Sequence, residues 1–176
     1  MAIRAVIGLG NPGERYACTR HNIGFLVVDA LGDAYAANWR ARDDMLVTEV
    51  EVANRRVLLI KPQTFMNNSG RVISFLAKQG IRPDEIVVVH DELDFPFGKV
   101  ASKKGGSARG HNGVKSLIAA MGEDFYRVRC GIGRPVERDE VPNYVLQQFR
   151  ESDAEVNQMV LDAVDEVVKL VNQPAN

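Results

Sequence analysis

The chain has 176 residues, 45% of them hydrophobic and 26% charged, with a formal net charge of −1. That length fits one domain, residues 1–176, able to bury roughly two thirds of its unfolded surface, and near-neutrality argues against a uniformly basic nucleic-acid binder. No apolar run approaches the roughly 20 residues of a membrane span, Met1-Ala2-Ile3-Arg4 does not open a signal peptide, and Cys18 and Cys130 make no disulfide framework and suit a reducing cytoplasm.

Residues 3–8 are a short apolar, β-branched run stopped by glycines, which predicts a buried first strand. The loop Gly8-Leu9-Gly10-Asn11-Pro12-Gly13 follows. From Ile23, the residues Phe25, Val28, Leu31 and Tyr35 recur at helical spacing and predict a helix to about Asn38. Residues 45–52 alternate as a half-exposed strand, and Arg55-Arg56 turns into a buried strand at 57–60 that Lys61-Pro62 ends. Asn68 or Ser69 is expected to cap a helix through Val72, Phe75, Leu76 and Gln79, with Gly80 closing it.

The continuous β-branched run at 86–89 predicts a central strand covered on both faces. Its end delivers His90 and Asp91 to the carboxyl edge, where open α/β sheets place their chemistry. Residues 97–103 read as a further strand, 105–110 as a loop, Val114 to Met121 as a helix and 126–132 as a strand. From Asp153, the residues Val156, Val160, Ala163, Val164, Val167 and Val171 mark an amphipathic helix. Strands alternating with helices predict an α/β fold, a three-layer sandwich with helices on both faces of a twisted sheet. The sheet is expected to be mixed, because residues 45–60 read as a hairpin.

The charges are unevenly spread. Between positions 98 and 138 the bases Lys99, Lys103, Lys104, Arg109, Lys115, Arg127, Arg129, Arg134 and Arg138 outnumber the acids Glu123, Asp124 and Glu137, whereas the segment from Glu151 onward is acidic. A one-sided basic face and a solvated mixed surface both fit that pattern.

Several motif readings fail on context. Gly8 to Gly13 matches G-x-G-x-x-G, but Pro12-Gly13-Glu14-Arg15 makes a turn instead of opening a helix, and Asp29 falls within a helix instead of ending a second strand. Gly105-Gly106-Ser107-Ala108-Arg109 has arginine where a nucleophile elbow needs glycine. His21, His90, His111 and Asp91 offer metal-ligand atoms, yet no two stand at a metal-binding helical spacing. What remains is acid–base chemistry, for which the unperturbed histidine pKa is suited. His21 stands out because it lies in a polar, glycine-bounded loop. Asp91 is its natural partner, holding the tautomer and stabilising the imidazolium; it can equally cap a turn within His90 to Asp94, and the residues alone favour that second reading. Cys18, three residues before His21, reads as a reactive thiol or, more economically, as a small buried residue. Asn11, Asn22, Asn67, Asn68 and Asn112 stand near glycines or element ends, where they serve turns, or donate to a backbone or an oxyanion. Tyr16 and Phe65 add aromatic faces for a base, a ribose or the core.

At these residues the chain resembles the bacterial peptidyl-tRNA hydrolase family. The segments GLGNPGERYACTRHNIGF, KPQTFMNNSG, VHDELD, GGSARGHNGVKS and RCGIGRP stand in family order and spacing over positions 8–135. The resemblance implies a monomeric enzyme without metal or cofactor, acting in the cytoplasm and away from membranes on peptidyl-tRNA. Its contacts would be the 3′ CCA end and the acceptor-stem phosphates, with the ribosomal large subunit a further candidate partner. His21 would be the general base on Asp91, and Asn11 would contact the peptide beside the scissile ester. Asn67 and Asn112 would hold substrate or water, Tyr16 and Phe65 would line the tRNA 3′ end, and His111 would lie in the same cleft. Lys103, Arg129 and Arg138 would grip phosphates. Ser107-Ala108-Arg109 departs from the glycine-rich stretch with His more usual in the family. A non-catalytic RNA-binding protein on the same fold is the alternative.

Overall fold

The run Ile86-Val87-Val88-Val89 has no polar alternation because both its faces are covered. In the computed structural model, which describes residues 2–174, it lies in β5 (Ile86–Glu92), every residue of which is buried. The other strands are β1 (Ala5–Gly8), β2 (Arg40–Arg42), β3 (Met45–Val52), β4 (Arg55–Pro62), β6 (Val100–Lys104) and β7 (Tyr126–Gly131). They form one sheet in the order β2-β3-β4-β1-β5-β7-β6. β4, β1, β5 and β7 run parallel, while β3 on β4, β2 on β3 and β6 on β7 are antiparallel. The sheet is mixed, as the hairpin predicts.

Helices α1 (Ile23–Ala34) and α5 (Asp153–Asn172) cover one face, with Val27, Val28, Leu31, Val160, Ala163 and Val167 packed on Val6, Val87, Val89 and Val128. A 3-10 helix (Met66–Val72), α2 (Ile73–Lys78) and α3 (Asn112–Met121) cover the other, where Leu76, Val114 and Leu117 meet Ile7, Ile60 and Val88. A short α4 (Val141–Val145) follows a 3-10 turn at Arg138–Glu140. No helix among the described residues is long and apolar enough to cross a membrane.

Four local expectations need correction. Arg55-Arg56 is the start of β4, not the turn; the turn is Ala53-Asn54, both left-handed with φ of 52° and 63°, as a two-residue hairpin loop matching the strand twist requires. Neither Asn68 nor Ser69 caps a helix: both lie inside the 3-10 segment, where Ser69 Oγ donates to Met66 O at 2.7 Å. The first helix stops at Ala34, because Ala36 turns left-handed with φ of 56°. Cys18 is exposed, while Cys130 is the buried thiol, pushed up by burial and by the Asp91 charge.

Gly8 has a packing role in place of a phosphate-binding one. A methyl on Gly8 would stand 2.3 Å from Gly24 O, and one on Gly24 only 2.4 Å from Val89 O and 2.5 Å from Leu9 N. The two glycines let α1 sit directly on β1 and β5, which brings the turn before α1 to the end of β5. Gly24→Ala is therefore expected to lower stability by about 2 kcal/mol or more, since backbone has to move to admit the methyl. Urea unfolding of the variant beside the parent chain checks this.

Candidate active site

The site is made where three chain segments meet the carboxyl edge of β5. His21 sits in a 3-10 turn, Arg20–Asn22, that runs straight into α1. Asp91 is the last residue but one of β5, and His111 is the N-cap of α3. His21 Nδ1 lies 3.0 and 2.9 Å from the two Asp91 carboxylate oxygens, and His111 Nε2 lies 2.7 Å from Oδ1. The two imidazole centroids are 4.9 Å apart. Asp91 is thus a shared acceptor between two histidines, and the turn-capping reading of it falls.

The hydrogen bonds fix the tautomers. His111 Nδ1 receives the backbone N–H groups of Gly113 at 3.1 Å and Val114 at 3.3 Å, so it is an acceptor and the ring proton is on Nε2, donated to Asp91. An ionised carboxylate only accepts, so His21 must donate from Nδ1, which leaves its Nε2 lone pair unprotonated in the neutral ring. Burial opposes protonation of His21, but the Asp91 charge and hydrogen bond outweigh it and raise its pKa above the ordinary histidine value. Burial likewise works against the Asp91 charge, yet His21 and His111 together hold that carboxyl well below the usual range. His90 is a spectator in charge: burial, and then the neighbouring His111, push its pKa down to about 3. Its Nδ1 donates to the Asp91 carbonyl at 2.8 Å, and its Nε2 is buried without a partner.

His21, Asp91 and His111 place one ligand-type atom each within 4.8 Å of the others, a spacing a divalent metal fits. Their protonation does not fit one. A neutral imidazole that ligates through Nε2 carries its proton on Nδ1, and His111 Nδ1 is already an acceptor for two backbone donors. The arrangement is built to hold two protons between three groups.

The remaining residues divide into two sets. On one side lies a cavity of about 340 Å³ whose lining includes His21, Asp91, His111, Asn112 and the cations Lys103, Arg129 and Arg138. Asn11, Tyr16, Phe65 and Asn67 do not line that cavity; they lie along the loops after β1 and β4. Asn11 is buried and clamped: its backbone exchanges bonds with the Asn22 amide, both at 2.9 Å, and its Oδ1 accepts from Met66 N at 2.8 Å. Its Nδ2 takes part in none of these. Asn22, singled out only as one of several asparagines, is therefore the link between Asn11 and His21. Tyr16 and Phe65 meet edge to face with centroids 6.4 Å apart, Phe65 being 58% exposed. Asn67 and Asn112 are both exposed. The two sets join at Met66, where a methyl on Gly113 would lie 2.5 Å from Met66 Sδ.

The cavity wall holds residues that sequence reasoning left without a role. Arg127, 1% exposed, donates to the carbonyls of Ser107, Gly106 and Glu123 and so holds the 105–110 loop down. Glu92 pairs with Arg129 at 2.8 Å. Asp94 accepts from Arg134 at 2.7 and 2.9 Å and lies 3.4 Å from Arg109, contacts that hold its carboxyl below the usual carboxylate pKa. Arg109 adopts a left-handed φ of 48°, so its side chain reaches the cavity rim from a conformation glycine would take without strain. Partial burial, followed by the charges of Arg129, Arg127 and Arg109, lowers the Lys103 pKa. Asp91 and Glu92 on the lining, with Asp94 just beyond it, stand against six lining cations, Lys103, Arg109, Arg127, Arg129, Arg134 and Arg138, which leaves the wall electropositive and suits an anionic ligand.

Comparison with known proteins gives the same direction. The sequence profile of the family described as peptidyl-tRNA hydrolase matches residues 5–175. The chain is similar to the peptidyl-tRNA hydrolases of Moorella thermoacetica, 48% identical over 89% of this chain and 84% of that one, and Fervidobacterium nodosum, 42% identical over 94% and 87%. Its fold is similar to the crystal structure of peptidyl-tRNA hydrolase from Acinetobacter baumannii, with a TM-score of 0.87 and 34% identity over 96% of this chain and 88% of that chain. Matches of this kind over most of each chain, to sequence and to fold, leave one assignment: the chain belongs to the peptidyl-tRNA hydrolase family and is a hydrolase.

Proposed function

We propose that the chain hydrolyses the ester between a peptide, or any N-blocked aminoacyl group, and the 3′-terminal ribose of tRNA, freeing tRNA from prematurely released or stalled peptides. The observation that carries this reading is the His21–Asp91 pair, which leaves a basic Nε2 beside a cationic cavity. In the proposed reaction His21 Nε2 takes a proton from water as the oxygen attacks the carbonyl. Asp91 stabilises the imidazolium, and His111 steadies Asp91 from the other side. Among the described residues no serine or cysteine hydrogen-bonds His21, so direct attack by water is the reading adopted, without an acyl-enzyme. An ester leaving group needs far less help than an amine, which suits a site of this kind.

The Asn11 amide is assigned to the peptide next to the ester, and the Asn67 and Asn112 amides to the carbonyl, the developing oxyanion or the attacking water. Tyr16 and Phe65 offer stacking faces to the unpaired 3′ end. Lys103, Arg129 and Arg138 are assigned to acceptor-stem phosphates, with Arg129 exchanging Glu92 for substrate.

The deciding assay is tRNA release from N-acetyl-aminoacyl-tRNA beside unblocked aminoacyl-tRNA: the first is expected to be cleaved and the second spared. Cleavage of neither, with tRNA still bound, would leave only the non-catalytic reading. Lys103→Ala and Arg138→Ala are each expected to weaken tRNA binding about tenfold and to reduce the slope of log K against log salt by about one, with little change in the rate of bound substrate. Filter binding over a salt series checks this.

A further inference from the structure

Arg20 is 2% exposed, makes no ion pair with a carboxylate among the described residues, and directly precedes His21. A guanidinium is rarely buried on those terms, so its partners bear on what it does. Its NH1 donates to Tyr144 O at 2.9 Å and Gln147 Oε1 at 3.2 Å, and its Cζ lies over the Tyr144 ring, 3.8 Å from the centroid. Its backbone N–H donates to Gln147 O at 3.0 Å, and Thr19 forms an isolated β-bridge with Gln148. The turn that carries His21 is therefore fastened to α4 and the residues just after it.

The far end of the same contact reaches Asp91. Tyr144 Oη donates to Ile132 O at 2.6 Å, and Ile132 N donates to Glu92 O at 3.0 Å, one residue beyond Asp91. From His21 the connections run Arg20, Tyr144, Ile132, Glu92 and back to Asp91, a closed circuit through a third segment of chain. α4 also gives Val141, Pro142 and Val145 to the cationic cavity.

We infer that Arg20 and Tyr144 are positioning residues, a strut that sets the separation of the His21 imidazole from the Asp91 carboxylate and ties it to the cavity wall formed by α4. The inference rests on the assignment of His21 as the base. Without the strut the His21 turn keeps its backbone bond to Gln147, the Thr19–Gln148 bridge and the Asn22–Asn11 clamp but loses the guanidinium contacts to α4, and the Nδ1–carboxylate contact lengthens. Among the described residues the charged or titratable side chains in contact with the His21 ring are Asp91 from β5 and His111 from the start of α3, so a longer contact with Asp91 is the change its titration would register.

Arg20→Lys keeps the charge and the aliphatic stem and loses the planar fork and the stack. Tyr144→Phe keeps the ring under Arg20 and loses only the bond to Ile132. In the free protein, NMR titration of the His21 ring is expected to show a pKa lowered toward the ordinary histidine value in Arg20→Lys, with a smaller shift the same way in Tyr144→Phe. With substrate, kcat is expected to fall about tenfold in Arg20→Lys while KM stays within about twofold. A folded Arg20→Lys with unchanged His21 titration and unchanged kcat overturns the inference. If that variant fails to fold, Tyr144→Phe decides, and an unshifted His21 titration overturns it equally. The titration needs no substrate, so failure of the parent chain to cleave N-acetyl-aminoacyl-tRNA would sink the functional reading and leave the strut's own result legible.

Discussion

His21→Ala is expected to lower kcat by about a thousandfold, within the range a well-placed general base contributes, with tRNA affinity nearly unchanged. The reasoning is local. The imidazole is the group whose free nitrogen the proposed reaction uses, while Lys103, Arg129 and Arg138 lie on the cavity wall and make no hydrogen bond to it. The change also has a structural cost. Asp91, with its side chain 2% exposed, would lose one of its donors and keep only His111, so stability should fall by about 1–3 kcal/mol. Single-turnover cleavage of N-acetyl-aminoacyl-tRNA with excess enzyme separates the two effects, because it reads the chemical step of folded, loaded protein. A His21→Ala protein that turns over normally would remove His21 from the reaction.

Asp91→Asn is expected to have the second-largest effect, lowering kcat by about a hundredfold, because the carboxylate that holds the His21 tautomer and stabilises the imidazolium is lost. The number of acceptors explains why. Two N–H donors converge on Asp91, from His21 Nδ1 and His111 Nε2. An asparagine offers one oxygen and an NH2 group, so it can satisfy only one of them. His111 cannot yield, since its Nδ1 is held as an acceptor by the α3 N-terminus. His21 yields instead: it turns its lone pair to the asparagine NH2 and puts its proton on Nε2, where no base is left.

The pH dependence has a definite sign. In the parent chain Asp91 raises the His21 pKa, and the active form is the unprotonated ring, so activity should rise with pH through a value above that of an ordinary histidine. In Asp91→Asn the charge is gone, the proton is held less tightly, and the acid limb moves to lower pH. The ratio of parent to variant rates therefore shrinks as pH falls. A pH series of single-turnover rates checks both the size and the direction.

The strands were legible because burial leaves a direct mark on composition. Ile86 to Val89 reads as a doubly covered strand and is one, and the valine spacing from Val156 to Val171 gives α5. β2 was missed because Arg40-Ala41-Arg42 is wholly exposed and is a strand only by pairing with β3. α4 was missed because Val141-Pro142-Asn143-Tyr144-Val145 is too short for a period; it is held by Arg20 and Tyr144, contacts 12 to 127 positions apart in the chain.

The site was legible as a set of residues through family resemblance, and much less so from the residues themselves. Nothing local separates Asp91 as the partner of His21 from Asp91 as a turn cap, because the distinction is made by α1 and α3 arriving from either side. Histidine is not among the usual N-cap residues, so the capping bond that fixes the His111 tautomer carries no sequence signal. The basic segment from 98 to 138 was visible, but its acids come from elsewhere: Glu92 and Asp94, from β5 and just beyond it, neutralise part of it only once the sheet has formed.

The proton on His21 is the point on which the mechanism turns. Nitrogen NMR of the ring, in the free protein at a pH well above its titration, reports directly which nitrogen carries it. The account predicts a protonated Nδ1 bound to Asp91 and a bare Nε2; a proton on Nε2 would leave no base at that position and contradict it.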